Sequence, residues 1–153
     1  MNEERYKKLK ASAQRYSAYR ERAPKEVVDK LKEWAAPESI IDRIIMELKG
    51  DKFIDESRFA RAFCHDKFMI NKWGKIRLQM EMSRYGLSQE AKQEGLESID
   101  TSEYENNLRD LARSKWEKLE EPDDFKRKHK TVRFLLQKGY ENELVWEAVN
   151  GLQ

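Results

Sequence analysis

Cysteine, histidine, proline and glycine are all scarce in this sequence of 153 residues. The only cysteine, Cys64, excludes a disulfide framework and a thiolate cluster for zinc. The two histidines, His65 and His129, have no partner at the spacing that a zinc site needs. No glycine-rich phosphate loop and no nucleophile motif is present. The sequence therefore predicts a protein without metal, cofactor or catalytic activity.

Long apolar runs are also missing, which argues against a membrane-spanning helix. The first ten residues, MNEERYKKLK, lack the apolar core of a signal peptide, so we expect a cytoplasmic protein. Hydrophobic residues and charged residues each make up 39% of the chain. With so little glycine and proline, this composition favours long, charged, amphipathic helices and predicts an all-α protein.

A pattern of three helices recurs along the chain at intervals of roughly 50 residues, as in helical repeat proteins. The apolar stripes of the first repeat are Tyr6, Leu9, Ala13 and Tyr16, then Val27, Val28, Leu31 and Trp34, then Ile40, Ile41, Ile44, Ile45 and Leu48. Pro24 restarts the chain as a helix, and Gly50 is a plausible helix end. We predict three tandem three-helix repeats, over residues 1–54, 55–100 and 101–153, and a monomer.

The register of the repeat follows from the turn between the second and third helix of each unit. Ala35, Gly86 and Gly139 take equivalent places, 51 and 53 residues apart. Glycine is typical of a left-handed helix end, whereas alanine is not, so we expect a different turn in the first repeat.

The second repeat has Phe59, Phe63 and Phe68 in its first helix and Ile76, Met80 and Met82 in its second. Ser88 is the candidate cap of its third helix, and Cys64 is expected to be a buried, unreactive thiol. In the third repeat Ser102 and Glu105 have capping-box spacing, and Asp123 or Asp124 is expected to cap the following helix.

Charge is partitioned along the chain although its net value is only +2. Residues 58–92 carry 8 basic and 3 acidic side chains, whereas residues 93–124 carry 4 basic and 11 acidic ones. Such partition predicts one basic binding face and a separate acidic face. Ordinary solvated helix surfaces are the simpler alternative.

Two basic clusters are the candidate binding residues for a partner or for DNA. They comprise Arg58, Arg61, Lys67, Lys72, Trp73, Lys75, Arg77 and Arg84 in the second repeat, and Lys126, Arg127, Lys128, Lys130, Arg133 and Lys138 in the third. Basic side chains bind phosphate and aromatic rings stack on bases, although helical spacing favours core packing for Trp73. An acidic protein groove would satisfy the same basic face.

The stretch DESRFARAF, followed by NKWGKIRLQMEMSRYGL, resembles the RecX family of recombinase regulators. The matching residues are Asp55, Glu56, Arg58, Phe59 and Ala60, then Gly74, Ile76, Arg77 and Gly86. The resemblance implies a curved, elongated array of three three-helix repeats that has no catalytic residues. It also implies that the protein binds RecA nucleoprotein filaments in their groove and lowers ATPase and strand-exchange activity, or blocks filament growth.

Two other functions remain compatible with the sequence. A helix-turn-helix-like module that binds single- or double-stranded DNA without a recombinase would use the same cations. A protein scaffold would instead use the acidic segment, residues 93–124, as its working surface.

Overall fold

The computed structural model describes residues 3–152, and every regular element in that range is helical, which confirms the all-α prediction. Residues 1, 2 and 153, the outer ends of the first and third predicted repeats, lie outside it. The helices are α1 (Glu3–Tyr19), α2 (Pro24–Glu33), α3 (Glu38–Gly50), α4 (Glu56–Asn71), α5 (Lys75–Met82), α6 (Gln89–Glu97), α7 (Thr101–Lys118), α8 (Asp124–Lys138) and α9 (Asn142–Asn150). A short 3-10 turn, Ser83–Tyr85, follows α5. Within the described range no helix is long and apolar enough to cross a bilayer.

The chain divides into two compact units, each described here by itself. Unit 1 contains residues 3–63 and 82–95, and unit 2 contains residues 64–81 and 96–152. Both units therefore take a part of the second predicted repeat. The repeat boundaries after residues 54 and 100 remain predictions.

The core of unit 1 is built from the stripes that helical periodicity predicted. Its buried members are Tyr6, Leu9, Ala13, Val27, Leu31, Ile40, Ile41, Ile44, Leu48 and Ile54. Tyr16, Val28, Trp34 and Ile45 pack at the edge of this cluster and remain partly exposed. Full burial of one aliphatic side chain contributes roughly 1.5–3 kcal/mol, so the matched stripes of α1, α2 and α3 are what hold these helices together.

In unit 2 the helices α7, α8 and α9 pack on one another. Their buried hydrophobic residues are Tyr104, Leu108, Ala112, Trp116, Val132, Leu135, Val145 and Val149. Phe68 of α4, Leu78 of α5 and Tyr140 are also buried in the chain, and the Phe68 and Tyr104 rings lie 5.8 Å apart. These contacts fix the end of α4 and the start of α5 against the third helical triplet.

The apolar stripe predicted for α5 was partly wrong. Met82 is buried as expected, but Ile76 and Met80 are exposed, and Leu78 is the residue that points inward. Leu78 and Met82 are four residues apart and share one side of the helix, which places Ile76 and Met80 on the other side.

The first repeat was expected to turn differently, and this prediction was also wrong. Ala35 has a φ of 60°, close to the 68° of Gly86, and Gly139 has a φ of 102°. The backbone N–H of Ala36 donates to the Leu31 carbonyl at 3.0 Å, and that of Tyr140 donates to the Leu135 carbonyl at 3.2 Å. The hydrogen-bonding pattern of the turn thus recurs, and Ala35 adopts the left-handed conformation despite its side chain.

Two of the predicted helix starts are confirmed and one is shifted. Ser88 Oγ accepts a hydrogen bond from the Ala91 N–H at 3.1 Å, and an Asp123 carboxylate oxygen accepts one from the Lys126 N–H at 3.1 Å. The cap of α7 is Asp100, which accepts from the Glu103 N–H, because α7 begins at Thr101, ahead of the predicted Ser102. Helix α3 ends at Gly50 as predicted, but the left-handed residue is Lys52, with a φ of 63°.

Candidate partner-binding surface

Unit 2 gathers predicted binding residues from both basic clusters around the turn between α4 and α5. We call this group the basic corner; it consists of Lys67, Lys72, Trp73, Lys75, Arg77 and Lys138. The guanidinium carbon of Arg77 lies 4.3 Å from the Trp73 ring centroid, and Lys67 Nζ lies 5.4 Å from it. Lys138 Nζ donates to the Asn71 carbonyl at 3.1 Å, which brings the end of α8 to the end of α4.

A close backbone contact between Gly74 and Gly139 builds the corner. The Gly74 N–H donates to the Lys138 carbonyl at 2.8 Å, and the Ile76 N–H donates to the Gly139 carbonyl at 3.0 Å. A Cβ atom on Gly74 would lie 2.3 Å from the carbonyl carbon of Gly139, and one on Gly139 would lie 2.3 Å from Arg77 Cβ. Only glycine permits this approach, in which carbonyls at the end of α8 bind the otherwise unpaired donors of α5.

Two buried tyrosines fix the same turn from beneath. Tyr104 Oη accepts a hydrogen bond from the Lys75 N–H at 2.9 Å and donates to the Glu141 carboxylate. Tyr140 Oη donates to the Lys72 carbonyl at 3.0 Å, and Lys72 itself has a left-handed φ of 59°. Burial raises the pKa of both phenols well above the ordinary value, so both hydroxyls stay protonated as donors.

Four cations of the basic corner, at positions 72, 75, 77 and 138, have neutral rather than anionic contacts. Within residues 3–152 no carboxylate lies within 4.0 Å of Lys72, Lys75, Arg77 or Lys138. Their contacts are instead neutral: Lys75 Nζ lies 5.0 Å from the Tyr104 ring centroid, and an Arg77 nitrogen donates to the Gln137 carbonyl at 3.4 Å. A partner anion can therefore pair with these charges without displacing an internal ion pair.

Trp73 is neither a buried core residue nor an open stacking platform. Its ring is partly buried, and Lys67 and Arg77 both lie within cation–π distance of it. Sequence analysis offered core packing or base stacking as the role of Trp73. In the structure the ring is half-buried and positions two of the cations.

The second predicted cluster, on α8, is divided by its local contacts. Arg127 donates through two nitrogens to the Trp116 carbonyl, at 3.0 and 2.7 Å, and covers the Trp116 ring at 4.1 Å. Lys130 pairs with Glu121 at 2.8 Å, and this hydrogen bond holds the pKa of the Glu121 carboxyl below its usual range. Lys126 and Arg133 are exposed and Lys128 is half-buried. Only Lys138, at the end of the helix, joins the basic corner.

Comparison with known proteins places this architecture in a family. A family model described as the second three-helix domain of RecX matches residues 55–96, and a model of the third three-helix domain matches residues 103–149. The regulatory protein RecX of Clostridium beijerinckii is 30% identical over 148 residues, which cover 95% of this chain and 68% of that protein. The chain belongs to the RecX family.

Other RecX proteins agree in sequence and in fold. The RecX of Clostridium perfringens is 30% identical over 92% of this chain and 66% of its own length. The crystal structure of RecX from Lactobacillus salivarius superposes with a TM-score of 0.87 at 20% identity, covering 95% of this chain and 94% of that one. A second RecX crystal structure gives a TM-score of 0.83. The resemblance noted from the motifs is thereby confirmed, and the fold is that of a helical repeat array.

The acidic half of the RecX-like motif serves unit 1 structurally. An Asp55 oxygen accepts from the Arg58 N–H at 3.0 Å, and this hydrogen bond, with the Arg58 charge, holds the pKa of the Asp55 carboxyl below its ordinary value. Arg58 Nε pairs with Glu21 at 2.7 Å, so the motif ties the start of α4 to the end of α1. Phe59 is buried, with its ring centroid 5.1 Å from that of Tyr85.

Three predicted binding residues belong to unit 1, whereas the basic corner belongs to unit 2. Arg58 is committed to Glu21 and the Phe53 carbonyl. Arg61 is exposed and lies 3.7 Å from Glu94, and Arg84 is exposed in the 3-10 turn. Arg58 thus already has internal partners, and its role in binding remains a prediction.

The remaining chemical candidates are inert or solvent-exposed. Cys64 is buried as predicted, and this burial raises the pKa of its thiol to about 12, so the group is protonated at neutral pH. His65 and His129 are both exposed. Among residues 3–152 no group of three His, Cys, Asp or Glu side chains is placed to hold a metal ion.

Sequence analysis did not single out Tyr104 and Tyr140 as parts of the site. A signal was available, because Tyr104 lies four residues before Leu108 on the apolar stripe of α7 and Tyr140 directly follows the turn residue Gly139. A tyrosine in such a place needs a hydrogen-bond partner for its hydroxyl. The two hydroxyls bind backbone groups that are 29 and 68 residues away in the sequence. A local sequence pattern cannot predict such distant partners.

Proposed function

We propose that this protein is a non-enzymatic regulator that binds RecA nucleoprotein filaments and lowers their ATP hydrolysis and strand exchange. The observation that supports the proposal is the basic corner, whose Lys72, Lys75 and Arg77 have no carboxylate partner among the described residues. It occurs in a chain whose relatives are named regulatory proteins. A nucleoprotein filament offers anionic phosphates and carboxylates to such a surface.

The mechanism follows from rigidity and differential binding. The glycine contact and the two tyrosine hydrogen bonds hold the corner in one conformation, so little ordering cost is left for the bound state. A rigid protein that pairs with one arrangement of filament protomers stabilises that arrangement over others. Nucleotide-linked rearrangement and access of a second DNA strand are then hindered, without any chemistry by the regulator.

The test is ATP hydrolysis by RecA of the same organism on single-stranded DNA, measured while this protein is titrated well below one molecule per protomer. We expect the rate to fall at substoichiometric ratios. The variant Lys72→Glu/Lys75→Glu should require at least about tenfold more protein, since a unit charge pair at about 4 Å contributes roughly 1 kcal/mol even in water. Arg77 is left intact because it also donates to the Gln137 carbonyl.

A charge-matched control is available on α1. Lys7 and Lys8 are both exposed and lie in unit 1, so Lys7→Glu/Lys8→Glu changes the net charge equally at another place. Equal loss of inhibition in both variants would assign the effect to net charge rather than to the basic corner. Unchanged ATP hydrolysis at every ratio of the wild-type protein would refute the proposal as a whole.

Binding to DNA alone is a second candidate function, favoured by α8. Lys126 and Arg133 are exposed, and no carboxylate in the described part of the chain lies within 4.0 Å of either. If this function holds, the protein binds naked DNA with a steep salt dependence, and Lys126→Glu/Arg133→Glu weakens that binding. ATP hydrolysis would then fall only once the DNA is saturated with this protein.

A further inference from the structure

Exposed apolar side chains border the basic corner in unit 2. Ile70 near the end of α4 is 76% exposed, and on α5 Ile76 is 48% and Met80 is 66% exposed. Single exposed apolar residues are common on protein surfaces. Here, however, Ile70 lies two residues before Lys72, and Ile76 lies between Lys75 and Arg77 in the sequence. Apolar and cationic groups therefore occur side by side around one turn.

Helix geometry gives α5 an outward face whose centre is apolar, with Lys75 and Arg77 on either side of Ile76 and the acidic Glu81 following Met80. Ile76 and Met80 are four residues apart and share one side, opposite the buried Leu78. Lys75 and Arg77 are each about 100° around the helix from Ile76, in opposite directions. We call Ile76 and Met80 the α5 apolar face.

Phosphate groups do not account for this face. Cations alone suffice for a sugar–phosphate backbone, whereas aliphatic side chains gain free energy only when another apolar surface excludes water from them. A protein partner can offer both, as a segment with apolar side chains bordered by carboxylates. Interfaces of this kind have an apolar centre and a polar rim.

We propose that the α5 apolar face is a docking site for a protein segment that presents apolar side chains bordered by carboxylates, with Lys72, Lys75 and Arg77 pairing with those carboxylates. The charge complementarity rests on these cations, which have no carboxylate partner among the described residues. The inference rests on the proposed function: it assigns the contact to the recombinase protein in the filament rather than to its DNA.

The surroundings make the face a preorganised binding surface. The start of α5 is fixed by the backbone hydrogen bonds from Gly74 to Lys138 and from Ile76 to Gly139. Tyr104 holds the Lys75 N–H as well. Ile76 therefore lies on backbone that is already ordered, and binding does not have to order it.

The test is a comparison of two affinities for each variant, one for RecA assembled on labelled single-stranded DNA and one for the same DNA without RecA. We expect Ile76→Ser/Met80→Ser to bind the filament at least about tenfold more weakly, as truncation of central apolar interface residues does, and to bind naked DNA as the wild type does. The matched control is Met46→Ser/Phe125→Ser, whose side chains are 74% and 70% exposed elsewhere. Circular dichroism verifies that each variant folds. If the double variant is unfolded, Met80→Ser alone is compared with the wild type in the same way.

The outcomes separate this inference from the proposed function. If Lys72→Glu/Lys75→Glu loses filament binding while Ile76→Ser/Met80→Ser keeps it, the apolar docking site is refuted and the regulatory function stands. Parallel losses of filament and DNA affinity in the apolar variant would assign the face to DNA. A wild-type protein that binds the filament no better than naked DNA would overturn both proposals.

Discussion

Replacing Gly74 with alanine tests how the basic corner is built. The added Cβ would lie 2.3 Å from the Gly139 carbonyl carbon, 2.4 Å from its oxygen and 2.4 Å from the Tyr140 nitrogen. All three are backbone atoms, so no side chain can rotate to make room. The two backbones must separate, which strains the hydrogen bonds from Gly74 to Lys138 and from Ile76 to Gly139.

The expected cost follows from these contacts. Overpacking of a tight interior site costs about 1–3 kcal/mol, and each weakened backbone hydrogen bond adds about 0.5–1.5 kcal/mol. Gly74→Ala should therefore lower the free energy of unfolding by about 4 kcal/mol. That is a large part of the roughly 5–15 kcal/mol by which small domains are stable.

Urea unfolding followed by tryptophan fluorescence measures this loss. Trp73, Trp116 and Trp146 lie in unit 2 and Trp34 in unit 1, so the signal reports mainly on the unit that is perturbed. Gly50→Ala is the matched control, since a Cβ there meets no atom within 4 Å and alanine favours a helix by up to about 1 kcal/mol. A Gly74→Ala variant within about 1 kcal/mol of the wild type would refute the claim that this contact requires glycine.

Three further predictions concern unit 1 and Cys64. Ala35→Gly should stabilise the protein by up to about 1 kcal/mol in urea unfolding, because Ala35 has a φ of 60° that glycine adopts without strain; a destabilised variant would contradict this. The pKa of Asp55 is lowered by its hydrogen bond from Arg58, so its stabilising effect is complete above the unfolded pKa of about 4 and is lost as pH falls through the folded value. Asp55→Asn should therefore lose less stability than the wild type as the pH falls from about 5 to about 2. If the urea midpoints of the two proteins fall equally over this range, the prediction is wrong. The Cys64 thiol, with a pKa raised to about 12, should react with Ellman's reagent at pH 8 far more slowly in the native protein than in urea, and equal rates would contradict its burial.

The helices and most of the core were predictable because amphipathic periodicity is a local property. Tyr6, Leu9 and Ala13 on α1, or Leu108 and Ala112 on α7, are buried where their spacing places them. Local signals were less decisive where two candidate capping residues lie within one helical turn. Asp100 caps α7 although Ser102 had the capping-box spacing, because the helix starts two residues earlier than that spacing implies.

Helix-end hydrogen bonds and tertiary contacts decided the features that residue propensity and periodicity missed. Ala35 takes a left-handed turn because the hydrogen bonds that end α2 require one, and they outweigh the propensity of alanine. On α5, eight residues are too few for periodicity to choose a side. The contact with α8 through Gly74 and Gly139 is what turns Leu78 inward and leaves Ile76 and Met80 exposed.

Counting cations along the sequence locates the candidate surface only approximately, because each charge is used according to the acceptors near it. Arg58 and Arg127 belong to the predicted clusters, yet Glu21 engages the first and the Trp116 carbonyl the second. Lys138 joins the second-repeat cations through a contact with a carbonyl 67 residues away. The corner thus acquires cations from two sequence clusters, and its identity as a surface depends on the glycine contact. Loss of binding by Gly74→Ala under conditions where circular dichroism shows it to be folded would be the direct sign of this dependence, because the variant keeps every charge.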